Sequence, residues 1–79
     1  MGRRVSGRAE PAAAFGAKVR EVPTERSWSQ ERLAERAGMH RTFIGHVERG
    51  ENQVTLGTLC RLAKALDVRP STLVEHLPT

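Results

Sequence analysis

The chain has 79 residues, of which 38% are hydrophobic and only 4% aromatic, and its formal net charge is +4. A chain of this length forms one domain with a small core, which leaves little room for a deep catalytic pocket. No apolar run approaches the ~20 residues of a membrane-spanning helix, and the single cysteine, Cys60, excludes an internal disulfide. We expect a cytoplasmic protein with Cys60 in its core.

The surplus positive charge lies near the N-terminus, where Arg3, Arg4 and Arg8 occur. From Ala9 onward the chain has ten basic and nine acidic residues, so its charges nearly balance. Residues 1–10 also lack apolar periodicity, and they are predicted to form a flexible basic arm that precedes one domain over 11–79.

Five helices and no strands are predicted in that domain. Apolar residues at steps of three and four predict the first helix over 12–22, and Pro23 should end or kink it because proline lacks an N–H. Ser29 is a candidate N-cap for a second helix over 30–37.

The third helix, over 41–49, follows almost at once. Gly38 is suited to a left-handed C-cap, and only Met39 separates it from His40, the next N-cap candidate. So tight a turn makes the two helices cross steeply and exposes the outer face of the third. That face carries Thr42, Gly45, His46 and Arg49, with Arg41 at its edge.

Two further helices complete the domain. The fourth, over 56–66 and capped by Thr55, carries the broadest apolar stripe and should be the central core helix. Pro70 opens the fifth, over 71–77. The stripe of the fourth helix consists of Leu56, Leu59, Cys60, Ala63 and Leu66.

The segment SQERLAERAGMHRTFIGHVERG, residues 29–50, resembles the helix-turn-helix of the Cro and phage-repressor family, also called the Xre family. Its Ser-Gln start, turn glycine, core isoleucine and Glu-Arg-Gly end occur together in register. The resemblance extends over about Ala12 to Leu77. It implies an all-α, five-helix lambda-repressor-like domain that binds double-stranded DNA and regulates transcription, without cofactor, metal or small-molecule ligand.

The resemblance also implies roles for individual residues. Arg41, Thr42 and His46 match positions that read base edges in the major groove. Gln30, at the start of the second helix, matches a residue that holds a DNA phosphate. The other positions expected near the DNA backbone are Phe43, Arg49, Asn52, Gln53 and Thr55.

Some of these residues have a second interpretation. His46 fits either a DNA contact or a solvated surface position, and Phe43 fits either the groove edge or a partly buried core position. His40 is interpreted as a helix cap rather than as a residue that contacts base edges. The arginines of the arm fit a solubilising tail better than a minor-groove contact.

The sequence departs from the family at two positions. The family commonly has an arginine at Pro23, which pairs with the glutamate equivalent to Glu48. We expect Arg20 or Arg26 to replace that partner, or Glu48 to stay solvated. The other departure is Gly45, which should leave the helix backbone open to DNA.

A single module of this size would bind weakly, so we expect a homodimer on a pseudo-palindromic operator with half-sites about 34 Å apart or a multiple of that. The dimer candidates are Leu73, Val74 and Leu77, which fit the intramolecular core equally well.

The resemblance leaves the type of regulator open. Stand-alone domains of this kind resemble restriction–modification controller proteins, phage-type repressors and antitoxins. An antitoxin or co-activator that acts mainly through protein–protein contacts is the alternative function. No enzyme is expected, because nucleophile elbow, phosphate loop and metal-ligand spacing are all missing.

Overall fold

A computed structural model describes residues 11–77, and the predicted all-α fold is confirmed for this part of the chain. The basic arm predicted over 1–10 lies outside the described residues. The helices are α1 (Pro11–Glu25), α2 (Gln30–Ala37), α3 (Arg41–Glu48), α4 (Leu56–Leu66) and α5 (Pro70–Val74).

Helix α1 continues through Pro23 to Glu25, so the prediction that it would end at Pro23 is wrong. Pro23 is buried in the last turn of the helix, and its carbonyl accepts hydrogen bonds from the amides of Arg26 at 2.9 Å and Trp28 at 2.8 Å. The Thr24 hydroxyl donates to the Arg20 carbonyl at 2.8 Å. These contacts and the burial of the ring offset the missing N–H so close to the helix end.

The predicted caps of α2 and α3 are confirmed. Ser29 Oγ accepts from the amide of Arg32 at 3.1 Å, and His40 Nδ1 accepts from the amide of Thr42 at 3.0 Å. Gly38 ends α2 in the left-handed region with φ 67°. Local hydrogen bonds thus form the caps on both sides of the tight turn between the two helices.

The predicted stripe of α4 is confirmed only in part: Ala63 and Leu66 are buried, and Leu59 packs against the core. Leu62, which was not assigned to the stripe, is fully buried, whereas Leu56 is 79% exposed. Cys60 is also exposed, so its predicted place in the core is wrong. The buried face turns towards Leu62 and Ala65 because α2, α1 and α5 pack on that side of α4.

Helix α5 is shorter than predicted and ends at Val74, with Leu77 in the turn that follows. Leu73 is fully buried in the core. It seals the intramolecular core, so it is not available as a dimer contact, and only Val74 and Leu77 remain partly accessible.

Helices α1 and α3 approach so closely that their backbones touch. A Cβ atom on Gly16 would lie 2.1 Å from the carbonyl oxygen of Val47 and 2.7 Å from that of Glu48. Gly50, with φ +72°, lies against the backbone of Ala13 in the same way. These glycines allow α1 to hold the C-terminal end of α3 on its buried side.

Substitution of Gly16 by alanine should therefore destabilise the protein by about 1–3 kcal/mol, because the contacted atoms are backbone and cannot move aside. Gly57→Ala is the matched control, since its Cβ would meet nothing nearer than 3.8 Å. It should stabilise the exposed first turn of α4 by about 0.5–1 kcal/mol. Urea unfolding at one fixed protein concentration measures both. If both variants change the free energy of unfolding in the same direction, the close approach of α1 and α3 is contradicted.

Candidate nucleic-acid interface

The turn between α2 and α3 is held from outside by α4. Arg61 Nη2 donates to the carbonyl oxygens of Ala37 at 3.0 Å and Gly38 at 2.9 Å, the last carbonyls of α2. A guanidinium at a helix C-terminus satisfies unpaired acceptors and complements the helix dipole. Arg61 thus fixes the angle at which α3 leaves the turn, a role that no local sequence pattern indicated.

The outer face of α3 carries the three predicted base-reading residues. Arg41 and Thr42 are exposed in the first turn, and His46 is partly exposed one turn later. The buried side of the helix carries Ile44 and Val47, which are 0% and 1% exposed. The predicted division of the helix into two faces is therefore present.

Arg41 is paired with a carboxylate of the preceding helix. Its Nη1 donates to Glu31 Oε2 at 3.0 Å, and both side chains are about 60% exposed. The pKa of the Glu31 carboxyl is lowered mainly by two hydrogen bonds. The larger effect comes from its own backbone amide in the first turn of α2, and the next from the Arg41 guanidinium. Water screens so exposed a pair, so it orients Arg41 without holding it firmly.

A second carboxylate, Glu51, joins two of the predicted DNA contacts. Its Oε1 lies 2.5 Å from His46 Nδ1, and its Oε2 accepts from Arg49 Nε at 2.9 Å. These two bonds lower the pKa of Glu51, the Arg49 bond having the larger effect. The ion pair with Glu51 also raises the pKa of Arg49.

Arg49 reaches Glu51 by folding over Gly45, where a Cβ would lie 3.2 Å from Arg49 Nη1. Gly45 is therefore buried. The expectation that its backbone would lie open to DNA is wrong, because the guanidinium covers it.

Glu48 receives its hydrogen bond from an unexpected residue. Gln30 Nε2 donates to Glu48 Oε1 at 2.6 Å, while Arg26 turns away and donates to the carbonyl of Leu66. Neither Arg20 nor Arg26 forms an ion pair with Glu48 within the described residues. Glu48 stays partly exposed, which agrees with the alternative expectation that it would remain solvated. Its hydrogen bond fixes the side chain of Gln30, which is predicted to contact a phosphate.

The other predicted backbone contacts lie along the edge of this surface. Phe43 is half-buried against the core, Asn52 is half-buried, and Gln53 and Thr55 are exposed. The Thr55 hydroxyl is the N-cap of α4: it accepts from the amide of Thr58 and donates to the Thr58 hydroxyl, both at 3.1 Å.

An apolar groove opens beside α5. Val74 and Leu77 line it together with the exposed Leu56 of α4 and the aromatic ring of Phe15. Among residues 11–77, Leu56 is the one large hydrophobic side chain that is exposed. The groove therefore contains the most exposed large hydrophobic side chain of the described chain.

The described residues contain no cluster of metal-ligating side chains and no helix long and apolar enough to cross a membrane. Comparison with protein-family models matches residues 17–73 to the helix-turn-helix family HTH_3. The chain belongs to this Xre-type family of DNA-binding transcriptional regulators. The resemblance drawn from residues 29–50 is thus confirmed.

Proteins similar to this chain include controller proteins. Control protein C.SmaI of Serratia marcescens is 57% identical over 58 residues, which cover 73% of this chain and 69% of the relative. The crystal structure of the restriction–modification controller protein C.AhdI from Aeromonas hydrophila has a TM-score of 0.76 at 42% identity, covering 78% of this chain and 94% of that one.

A further solved structure of this helix-turn-helix fold is a tetramer of controller protein C.Esp1396I in complex with its natural 35 base-pair operator. It has a TM-score of 0.75 at 25% identity and covers 81% of this chain and 84% of that one.

The pairing of Glu51 has a measurable titration. Its carboxyl should titrate below the ordinary value of 4.5, and Arg49→Met should move the midpoint up towards that value. Because the folded-state pKa is lowered, the stabilisation is complete above the unfolded value and is lost as pH falls through the lowered pKa. Side-chain carboxyl carbon shifts followed by NMR between pH 2 and 7 measure the midpoint.

Glu31 serves as the internal control in the same spectra, because its partner is Arg41 and its own pKa should stay lowered in Arg49→Met. An unchanged Glu51 midpoint in that variant would show that Arg49 is not its main partner.

Proposed function

We propose that this regulator binds duplex DNA with α3 in the major groove and reads base edges with Arg41, Thr42 and His46. The observation that supports it most is the exposed outer face of α3, whose polar side chains lie beside the N-terminus of α2. An α-helix presented in this way fits the ~12 Å width of the major groove.

Each contact has a chemical reason. Arg41 can donate two hydrogen bonds to guanine O6 and N7, and Thr42 can hydrogen-bond or touch a thymine methyl group. Gln30 and the N-terminus of α2 suit a phosphate, because free amides and the helix dipole favour an anion. The Thr55 hydroxyl is occupied by Thr58, so we assign the phosphate contact there to the first amides of α4.

Replacement of Arg41 by alanine should weaken binding to the selected operator about 5- to 150-fold and relax the base preference at one position. Gln30→Ala should weaken operator and random duplexes by the same factor, because a phosphate contact carries no sequence information. The operator is first obtained by in-vitro selection, and fluorescence anisotropy then gives both affinities.

Arg69→Ala, which removes the same charge from an exposed position before α5, is the control for general electrostatics. If Arg41→Ala loses equal affinity on operator and random DNA, Arg41 has no reading role.

We further propose that the protein acts as a homodimer, with a second copy covering the groove formed by Leu56, Val74 and Leu77. The exposure of Leu56 supports this, since an apolar surface of this kind is favoured at an interface. The tetrameric assembly of C.Esp1396I on its operator supports self-association in proteins of this type. Similarity to C.SmaI and C.AhdI likewise supports a controller role in a restriction–modification system.

Sedimentation velocity over a range of concentrations tests the dimer. The apparent mass of the wild-type protein should rise with concentration, and Leu56→Lys should remain monomeric because a buried charge without a partner is costly. Ala17→Lys, on the exposed side of α1, is the matched control and should behave as wild type. A wild-type protein that stays monomeric at tens of micromolar excludes the dimer. If Leu56→Lys associates as strongly as the wild type, the dimer interface does not include the groove at Leu56.

A protein-interaction module remains less well supported. Such a module would expose an apolar patch beyond the dimer surface, whereas in residues 11–77 the exposed large hydrophobic side chain lies in the groove itself.

A further inference from the structure

The two ring nitrogens of His46 have different surroundings. Nδ1 lies 2.5 Å from Glu51 Oε1, while Nε2 has no hydrogen-bond partner among residues 11–77. The side chain is 41% exposed. One nitrogen is thus held by the protein and the other is available to a ligand.

Glu51 determines which nitrogen carries the proton. Arg49 and His46 lower its pKa, so the carboxyl is ionised at neutral pH and can only accept hydrogen bonds. A bond of this length therefore needs a hydrogen on Nδ1. A neutral imidazole carries one hydrogen, which leaves Nε2 as a bare acceptor.

The position of Glu51 is itself fixed by the backbone. Its amide donates to the carbonyl of His46 at 3.0 Å, and the amide of Gly50 donates to that of Val47 at 3.0 Å. Gly50 is held against Ala13 of α1. The carboxylate is therefore presented from a turn whose backbone is hydrogen-bonded to α3 and packed on α1.

We propose that Glu51 is a specificity-determining positioning residue, which holds His46 so that Nε2 accepts a hydrogen bond from the exocyclic amino group of adenine or cytosine. This inference rests on the proposed reading role of α3.

The preference follows from the groove chemistry. Adenine N6 and cytosine N4 present donors in the major groove, whereas guanine O6 and thymine O4 present acceptors. The lone pair of an unprotonated Nε2 attracts the amino groups of adenine and cytosine and repels the carbonyl oxygens of guanine and thymine. Without Glu51 the proton is free to move to Nε2, which would then donate to guanine or thymine.

The tautomer can be measured without DNA. Nitrogen NMR of the full chain with labelled histidine, at pH 8.5, should show the hydrogen of His46 on Nδ1 in the wild type. Glu51→Ala should shift it towards Nε2. Glu35→Ala, which removes the same charge from a side chain that is 76% exposed and pairs with Arg32, should leave the tautomer unchanged. A wild-type His46 with its hydrogen on Nε2 overturns the inference.

Binding to a set of operators with single base-pair changes tests the consequence. His46→Ala identifies the position that His46 reads. The wild type should prefer adenine or cytosine there by about 5- to 150-fold. In Glu51→Ala this preference should fall below about threefold or move to guanine or thymine, while the preference at the Arg41 position is retained. A merely structural role of Glu51 would weaken all operators alike.

The outcomes separate the two proposals. If in-vitro selection yields no operator, the proposed function fails and the reading role fails with it. If an operator is found but the wild type prefers guanine or thymine at the His46 position, or Glu51→Ala keeps the wild-type preference, only the inference about Glu51 fails.

Discussion

The backbone contact between α1 and α3 is the constraint on which the rest of the structure depends. Gly16 lets α1 lie directly on the last carbonyls of α3, and Gly50 lets the following turn lie on Ala13. With the C-terminal end of α3 held on its buried side, the turn that carries Glu51 has a fixed position. The position of the outer face of α3 is therefore set by contacts on the buried side of the helix, in a core made almost entirely of aliphatic side chains.

The outer face combines cationic and polar groups with carboxylates. Arg41 pairs with Glu31, both His46 and Arg49 pair with Glu51, and the amide of Gln30 is bound to Glu48. Between Gln30 and Gln53 the basic and acidic residues balance at four each. Such a surface attracts phosphates only weakly in general, because both Arg41 and Arg49 already have a carboxylate partner. Discrimination by this family member would then rest on hydrogen-bond geometry at a few positions, which is the basis of the function proposed above.

Features of the fold that depend on neighbouring residues were predictable. The caps at Ser29, His40 and Thr55 and the left-handed Gly38 all form bonds across two to five positions of the chain, which a sequence pattern displays directly. Periodicity also divided α3 correctly into a buried and an exposed face. It was less reliable for α4, where Leu56 and Cys60 suit a core by residue type but lie beyond the reach of the other helices.

The sequence by itself determined the helices, the tight turn between α2 and α3, and the family, because these follow from short-range hydrogen bonds and from residues in fixed register. Only the tertiary structure decided which groups meet across the fold. Arg61 reaches the last residue of α2 from 24 positions away, Gln30 takes the place of an arginine beside Glu48, and the backbone turn at Gly50 brings the carboxylate of Glu51 to His46. Such contacts depend on crossing angles and side-chain directions, which helical periodicity does not specify. They also decide what the exposed face of α3 presents to a ligand.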